Sequence, residues 1–262
     1  MSSVPHTGRR GDQTVIFHEE SDSASTTPHS DRKANSNPCT GRNILTLTGS
    51  VVRAPAGQQG FDADTVLTSS QARQLRDAGF AFCIRYLSRA ANQPASDLTT
   101  AEARRILSAK LALMPVQHVA REGWVPTGDL GTTNGSRAAQ HALDIGFPPG
   151  VNVWLDVEGI APSVPSQDVI DYCNAWFTEV EAVGFESGLY VGANAILSAD
   201  ELFWRLKTKH YWHSLSTVPD IPHRGYQMFQ SAVRHPLAGV DMDRNVTLND
   251  AFGDSVLWLA PD

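Results

Sequence analysis

The chain has 262 residues, of which 41% are hydrophobic, and it holds 21 aromatic side chains. This is enough apolar material for a sizeable core, so a wholly disordered protein is excluded, and the length predicts one large domain with a tail or two small domains. The net charge is −7, from 21 basic and 28 acidic side chains, and no Lys/Arg cluster stands out. These charges argue against a nucleic-acid partner.

The cysteines and the start of the chain carry little functional signal. Cys39, Cys83 and Cys173 are odd in number and lack the spacing of metal ligands, so they predict neither a disulfide framework nor a metal site. No apolar run approaches the roughly 20 residues of a membrane span, and no apolar segment follows Arg9 and Arg10 to form a twin-arginine export signal. We expect a monomer without cofactor or membrane span, cytoplasmic by default, or extracellular or cell-wall associated if another route exports it.

The first 50 residues have the composition of a tail. They hold 15 Ser or Thr and one aromatic side chain, Phe17, so they cannot bury enough apolar surface to offset the chain entropy lost on folding. We predict a disordered or weakly ordered tail over residues 1–56 and a folded domain over 57–262. The short apolar patch at 44–52 is a candidate for an added strand or for docking on that domain.

Beyond residue 57, short apolar runs alternate with amphipathic segments. Strands are predicted at 60–62, 80–86, 111–116, 151–156, 187–191, 211–213, 226–230 and 239–241. Helices are predicted at 69–78, 100–109, 136–145, 167–183 and 199–207, with Thr99 and Glu102 as a capping box for the second. The alternation predicts a parallel α/β sheet, and its length and strand count favour a small (β/α)8 TIM barrel. A doubly wound open sheet is the alternative, although no GxGxxG motif follows the first strand.

The fourth predicted strand ends in two acids, and reactive groups of a barrel come from such C-terminal strand ends. Asp156 and Glu158 are separated by one residue, so they share a strand face with α-carbons about 6.5 Å apart. Like charges and apolar neighbours predict a pKa of Glu158 above about 4.3. Such a pair suits glycoside hydrolysis. The alternatives are a helix cap, an ion pair with Arg85, or a divalent-cation site, although no His lies at ligand spacing.

Other strand ends supply further polar side chains. They are Asp62 on the first strand, Arg85 and Tyr86 on the second, Tyr190 on the fifth, and Asp241 and Asp243 on the eighth. The first and eighth strands are neighbours in a closed barrel, so acids from the first, fourth and eighth strands are expected to converge on one mouth. The candidates for aromatic walls are Tyr86, Trp124, Tyr190 and Trp212, although core packing is the commoner role of such residues.

Several runs resemble a known family, in the right order between residues 60 and 245. They are GFDAD, FAFCIRYLSR, LTTAEARRILSAKLALMPV, VWLDVEG, SGLYVG, and FQS before GVDMDRN. Together they resemble the bacterial glycoside-hydrolase-like TIM-barrel domain of unknown function, a relative of the glycoside hydrolase family 25 muramidases, which cleave peptidoglycan. The resemblance implies that Glu158 is the general acid, that Asp156 orients or stabilises, and that Asp62 and Asp241 complete the acidic set.

The same resemblance bears on substrate contacts. It matches Arg85, Tyr86, Tyr190 and Gln230 to positions of these families, and with the wall residue Trp212 they form the predicted binding set. Where muramidases tend to have aromatic residues after the third strand, this chain has Gln117, His118 and Val119.

Three functional hypotheses follow. The first is a barrel that acts on a glycan, most of all bacterial cell-wall peptidoglycan or a related polysaccharide, by carboxylate acid/base chemistry. The second is a non-catalytic glycan or cell-envelope binding module on the same barrel, and the third is a metal- or small-molecule-binding barrel. The Asp-x-Glu pair favours the enzyme, whereas the altered residues after the third strand favour the binding module.

Overall fold

The computed structural model describes residues 46–194, 196–232 and 236–262, so residues 1–45 of the tail predicted over 1–56 lie outside the described residues. The strands are β1 (Ser50–Arg53), β2 (Gln59–Ala63), β3 (Phe82–Leu87), β4 (Ala112–Gln117), β5 (Asn152–Asp156), β6 (Glu186–Val191), β7 (His210–His213), β8 (Met228–Ala232), β9 (Asp243–Thr247) and β10 (Leu257–Ala260). The helices are α1 (Ser69–Asp77), α2 (Thr100–Ser108), α3 (Gly128–Ile145), α4 (Ser166–Ala182) and α5 (Ala199–Arg205). None of these helices is long and apolar enough to cross a bilayer.

Eight strands, β2 to β9, close into a barrel in sequence order, with β9 returning to β2. The strands β2 to β8 run parallel, whereas β9 is antiparallel to both of its neighbours. In the described chain a helix follows each strand from β2 to β6, and no α-helix follows β7, β8 or β9. The predicted α/β barrel is therefore confirmed as a TIM-like barrel, with a mixed sheet and five helices.

The eighth barrel strand lies later in the sequence than predicted. Residues 239–241 belong to a tight turn in which Leu237 bridges Val240, and Ala238 and Gly239 have left-handed backbone angles. Val240 and Met242 are buried although they lie outside any strand. Burial of these two apolar residues produces the alternation of a strand, so the sequence pattern places the strand too early.

The third helix begins eight residues earlier than predicted. The sequence pattern missed its first half because that half is rich in glycine. The side chain of Thr127 caps it by accepting from the N–H of Leu130. A β-carbon on Gly131 would lie 2.3 Å from the carbonyl oxygen of Tyr172 in α4. These glycines therefore allow close packing of α3 on α4, whereas by composition alone they are typical of a loop.

The first strand lies in the segment assigned to the tail. β1 pairs antiparallel with β10, from Ser50 opposite Ala260 to Arg53 opposite Leu257, and β10 in turn pairs with β4. Leu47 is 3% exposed and Ala54 is 2% exposed on either side of β1. The apolar patch thus supplies an added strand, which was one of its two expected roles.

This arrangement predicts different outcomes for two truncations. Deleting residues 1–45 is expected to leave stability nearly unchanged, whereas deleting residues 1–56 removes β1 and Leu47. Burying one leucine contributes about 1.5–3 kcal/mol, so we expect the longer deletion to lower the free energy of unfolding by at least about 2 kcal/mol. Urea unfolding of the two shortened chains measures the difference, and equal stability would contradict the role given to β1.

Candidate functional site

A cavity of about 320 Å³ lies at the C-terminal end of the parallel strands. It is lined by Asp62, Tyr86, Val116, Asp156, Glu158, Tyr190, Trp212, Gln230 and Asp243. Seven of the nine predicted site residues are in this set, and Arg85 and Asp241 are not. The cavity thus combines four carboxyl groups with three aromatic side chains.

Asp62, near the end of β2, is only 4% exposed, and its carboxyl group accepts three hydrogen bonds. Asn245 Nδ2 donates to Oδ2 at 2.7 Å, Gln230 Nε2 donates to the same oxygen at 3.5 Å, and Tyr86 Oη donates to Oδ1 at 3.1 Å. Burial raises the pKa of Asp62 to about 7, while the bond from Asn245 acts in the opposite direction and the charge of Asp243 adds to the rise. The three donors favour the ionised form against the cost of burial.

Asn245 is a site residue that the sequence reasoning missed. It is fully buried on β9, where its Oδ1 accepts from Trp212 Nε1 at 2.9 Å. An indole nitrogen can only donate, so the amide is oriented with its NH2 group toward Asp62. Residues 243 and 245 point to the same face of a strand, because side chains alternate between the two faces. This spacing would have identified Asn245 if the strand had been predicted at its observed position.

Gln230 is oriented in the same way by donors on its other side. Its Oε1 accepts from Tyr190 Oη at 3.0 Å and from the N–H of Leu215 at 3.4 Å. Its NH2 group therefore faces the acids, and it donates to Asp243 Oδ2 at 3.1 Å as well as to Asp62. The side-chain amides of Asn245 and Gln230, on the barrel strands, thus donate hydrogen bonds to the carboxyl groups of the cavity.

Asp156 and Glu158 meet through a turn rather than along a shared strand face. β5 ends at Asp156, whose Oδ1 accepts from the backbone N–H of Glu158 at 2.9 Å. Burial and the charge of Glu158 raise the pKa of Asp156 to about 8. Burial also raises the pKa of Glu158, in the predicted direction, with a smaller contribution from Asp243 and an opposing hydrogen bond from the N–H of Ala193.

Glu158 lies against the loop that follows β6. Its Oε1 accepts from the N–H of Ala193 at 2.7 Å. A β-carbon on Gly192 would lie 2.1 Å from Glu158 Cγ, so a glycine at this position makes room for the carboxyl group. On its other side, the backbone oxygen of Glu158 accepts from Trp124 Nε1 at 2.9 Å.

Asp243 takes the place that the sequence assigned to Asp241. Because β9 is antiparallel, its first residue lies at the mouth of the barrel, and Asp243 stands directly opposite Asp62 in the register. Asp241 precedes the strand, is exposed, and lies in a neighbouring depression beside Asp62, Asp64 and Tyr86. The reversed direction of the last strand is the physical reason for this correction.

Arg85 is not available to a ligand. It is fully buried, and its Nε donates to Glu102 Oε1 in α2 at 2.7 Å. Its guanidinium group also donates to the carbonyl oxygen of Ala63. Tyr86 and Arg85 point to opposite sides of β3, so only Tyr86 reaches the cavity. The side chain of Glu102 therefore pairs with Arg85 and does not complete the predicted capping box. Thr99 still caps α2 by accepting from the N–H of Glu102.

A second polar group lies at the rim, behind Tyr86. His118 stacks on the Tyr86 ring at 4.6 Å, and its Nε2 lies 3.0 Å from Asp97 Oδ1 and 3.7 Å from Asp64 Oδ1. The ligand atoms of these three residues lie within 4.8 Å of one another, so their chemistry would suit a divalent cation. The stacking also gives His118 a direct part in holding Tyr86.

The model of the Rv2525c-like, glycoside hydrolase-like domain matches residues 73–247. The chain belongs to this family. The match takes in most of the barrel and the cavity residues from Tyr86 to Asp243. No curated protein matches the chain by sequence.

Solved structures share the fold at low sequence identity. The Tat-secreted protein Rv2525c of Mycobacterium tuberculosis, in complex with L-tartrate, is 17% identical with a TM-score of 0.58, and the match covers 77% of this chain and 99% of that one. A bacterial lysozyme from Streptomyces coelicolor is 16% identical with a TM-score of 0.53, covering 76% and 95%. A family 25 glycosyl hydrolase from Bacillus anthracis is 14% identical with a TM-score of 0.50, covering 73% and 89%.

The buried ion pair predicts a stability effect separate from the cavity. Glu102→Ala leaves the Arg85 charge buried without its partner, so we expect a loss of about 3–5 kcal/mol in the free energy of unfolding. The double variant Arg85→Met/Glu102→Leu is expected to recover much of this loss, because no charge is then stranded. Urea unfolding measures both, and a cost below about 1 kcal/mol for Glu102→Ala would contradict the assignment.

The raised pKa of Asp156 predicts a pH-dependent stability. Its folded pKa of about 8 exceeds the unfolded value of about 3.9, so the stability present at low pH is lost as the pH rises toward 8. Asn cannot ionise, so the stability of Asp156→Asn relative to the parent should increase between pH 5 and pH 8. Urea unfolding at both values measures this, with Asp77→Asn at an exposed position of α1 as the control. A difference that stays constant with pH would exclude the buried ionisation.

Proposed function

We propose that the protein is a glycoside hydrolase that cleaves bacterial cell-wall peptidoglycan or a related polysaccharide. The observation that carries the proposal is the cluster of Asp62, Asp156, Glu158 and Asp243 in one aromatic-walled cavity at the C-terminal end of the strands. Glycoside hydrolysis needs one carboxyl group that holds a proton and another that is ionised. Aromatic walls suit the apolar faces of sugar rings.

Glu158 is the proton donor of the proposed reaction. It is partly exposed to the cavity, and its raised pKa favours the protonated form that a general acid needs. The N–H of Ala193 occupies Oε1, so Oε2 is the atom that presents the proton to the glycosidic oxygen. The donated proton leaves with the departing sugar as its new hydroxyl group, while a water molecule adds its oxygen to the anomeric carbon and its released proton restores the carboxyl group.

Asp62 and Asp156 have different parts in this proposal. Three donors favour the ionised form of Asp62 against burial, which raises its pKa to about 7, and in its ionised form it stabilises the oxocarbenium-like transition state. Asp156 orients Glu158 by accepting the backbone N–H of that residue. Asp243 adds negative charge opposite Asp62 and helps to raise the pKa of Glu158.

The related folds support the choice of substrate. Structures of similar fold include a bacterial lysozyme, an endolysin catalytic domain from a Listeria bacteriophage and a muramidase from Acremonium alcalophilum. A cell-wall substrate lies outside the cytoplasmic membrane, so the proposal requires export of the chain. The similar M. tuberculosis protein is described as Tat-secreted.

Replacing the proton donor tests the proposal directly. Glu158→Gln keeps the shape of the side chain and removes the proton, and general-acid help is worth about 10²–10⁴-fold in rate. We expect it to abolish measurable release of reducing sugar from purified peptidoglycan while leaving folding and glycan binding nearly intact. Asp156→Asn should also lower the rate, through loss of orientation rather than loss of the proton.

Two outcomes of this assay would contradict the proposal. Hydrolysis that survives Glu158→Gln would remove Glu158 from its role and leave Asp62 or Asp243 as the candidate donor. A parent protein that binds peptidoglycan but releases no sugar from it or from a panel of other glycans would identify the barrel as a binding module. In that case both variants should weaken glycan binding.

Gly192 offers a second test of the position of Glu158. Gly192→Ala places a methyl group within the space of the Glu158 side chain, which must then move. We expect kcat to fall at least about tenfold while KM changes little, because an interaction of the transition state is lost. Gly128→Ala is the matched control, because a β-carbon there would lie 3.9 Å from its nearest neighbour, Asp171. Unchanged kcat in Gly192→Ala would show that the position of Glu158 does not limit the reaction.

A further inference from the structure

Arg89 lies in the loop after β3, and its guanidinium group donates no hydrogen bond to another described residue. Its Nη1 atom is buried and has no hydrogen-bond partner among the described residues. An unpartnered buried guanidinium nitrogen is costly, since each of its N–H groups has lost water without a replacement acceptor. Such a group is a candidate for ligand contact.

The guanidinium group is held in a fixed orientation against the ring of Trp124. Its central carbon lies 4.8 Å from the ring centroid of Trp124, in a cation–π contact. Trp124 is itself fixed, because its Nε1 donates to the backbone oxygen of Glu158 and its carbonyl oxygen accepts from Ala161. Arg89 is thus connected through one ring to the residue that the proposed function makes the proton donor.

The backbone of the loop is also braced from α3. Arg137 Nη1 donates to the carbonyl oxygen of Arg89 at 2.8 Å, and the ring of His141 lies 2.9 Å from the carbonyl oxygen of Ala90 through its Nε2 atom. Arg89 is therefore presented by an anchored loop, and its side chain needs little further ordering to bind a ligand.

The charge of Arg89 acts on Asp156, which lines the cavity. It lowers the pKa of Asp156 against the larger effects of burial and of Glu158. Because Asp156 still holds its proton up to a pH of about 8, it does not supply a negative charge to Arg89 at neutral pH. In the described part of the chain Arg89 forms no ion pair with any other acid.

We propose that Arg89 is a specificity-determining residue that binds a carboxylate group of the glycan, so that the cavity selects an acidic sugar over a neutral one. This inference rests on the proposed function for the identity of the ligand as a glycan. A planar guanidinium group matches a carboxylate with two parallel hydrogen bonds, and stacking on Trp124 leaves the N–H edges free for that contact. A neutral hydroxyl group would make a weaker bond and leave the cation uncompensated.

Binding of matched oligosaccharides tests the inference without relying on turnover. The probes are a tetrasaccharide of alternating N-acetylglucosamine and N-acetylmuramic acid with free carboxylates, and the same tetrasaccharide with its carboxylates reduced to alcohols. Titration calorimetry on the full chain carrying Glu158→Gln measures both affinities. We expect the carboxylate form to bind at least about tenfold more tightly, as a charged hydrogen bond would give.

Three further variants in the same background assign the effect. Arg89→Leu should abolish the difference between the two probes, and Arg89→Lys should retain part of it, because the charge remains without the paired N–H groups. Arg121→Ala removes an exposed positive charge from the neighbouring loop and should leave the difference unchanged. If Arg89→Leu fails to fold, the comparison of Arg89→Lys with Arg121→Ala decides.

The outcomes separate this inference from the proposed function. Equal affinity of the parent chain for the two probes, or no binding of either, overturns the role of Arg89, as does a difference that survives Arg89→Leu. Discrimination that depends on Arg89, in a parent chain that hydrolyses nothing, supports the carboxylate contact and rejects the hydrolase. Hydrolysis with no preference between the probes supports the hydrolase and rejects the contact.

Discussion

The reversed pairing of the last barrel strand is the constraint on which the site depends. β9 closes the barrel by pairing antiparallel with both β8 and β2, so its first residue lies at the mouth. This direction places Asp243 opposite Asp62 and turns Asn245 toward the same carboxyl group. A parallel last strand would carry its C-terminal end to the mouth and would leave both acids without this arrangement.

The cost of burying several carboxyl groups together is offset by oriented amides. The indole N–H of Trp212 and the backbone N–H of Leu215 can only donate, so they fix the oxygen atoms of Asn245 and Gln230 and leave the NH2 groups for the acids. Burial disfavours ionisation, whereas these donors favour it at Asp62. The donors thus act against burial at Asp62, whereas at Asp156 burial and the charge of Glu158 both raise the pKa.

The two loops after β4 and β5 connect the acids to the rim. Trp124 bonds the backbone of Glu158 and carries the Arg89 guanidinium group on its ring face. In the same segment after β4, His118 stacks on Tyr86 and thereby supports a donor to Asp62. His118, which directly follows β4, thus supports the site through the ring of Tyr86.

The sequence by itself determined the barrel class and the order of most of its elements, and it selected seven residues that line one cavity, because apolar periodicity and the polar strand ends are local properties of the chain. Tertiary structure decided the rest. The direction of β9 depends on pairing with β2, far away in sequence, and it replaced Asp241 by Asp243. The removal of Arg85 from the site depends on Glu102 in a helix packed outside the sheet. No local pattern encodes either partner, because each contact forms only when distant segments meet.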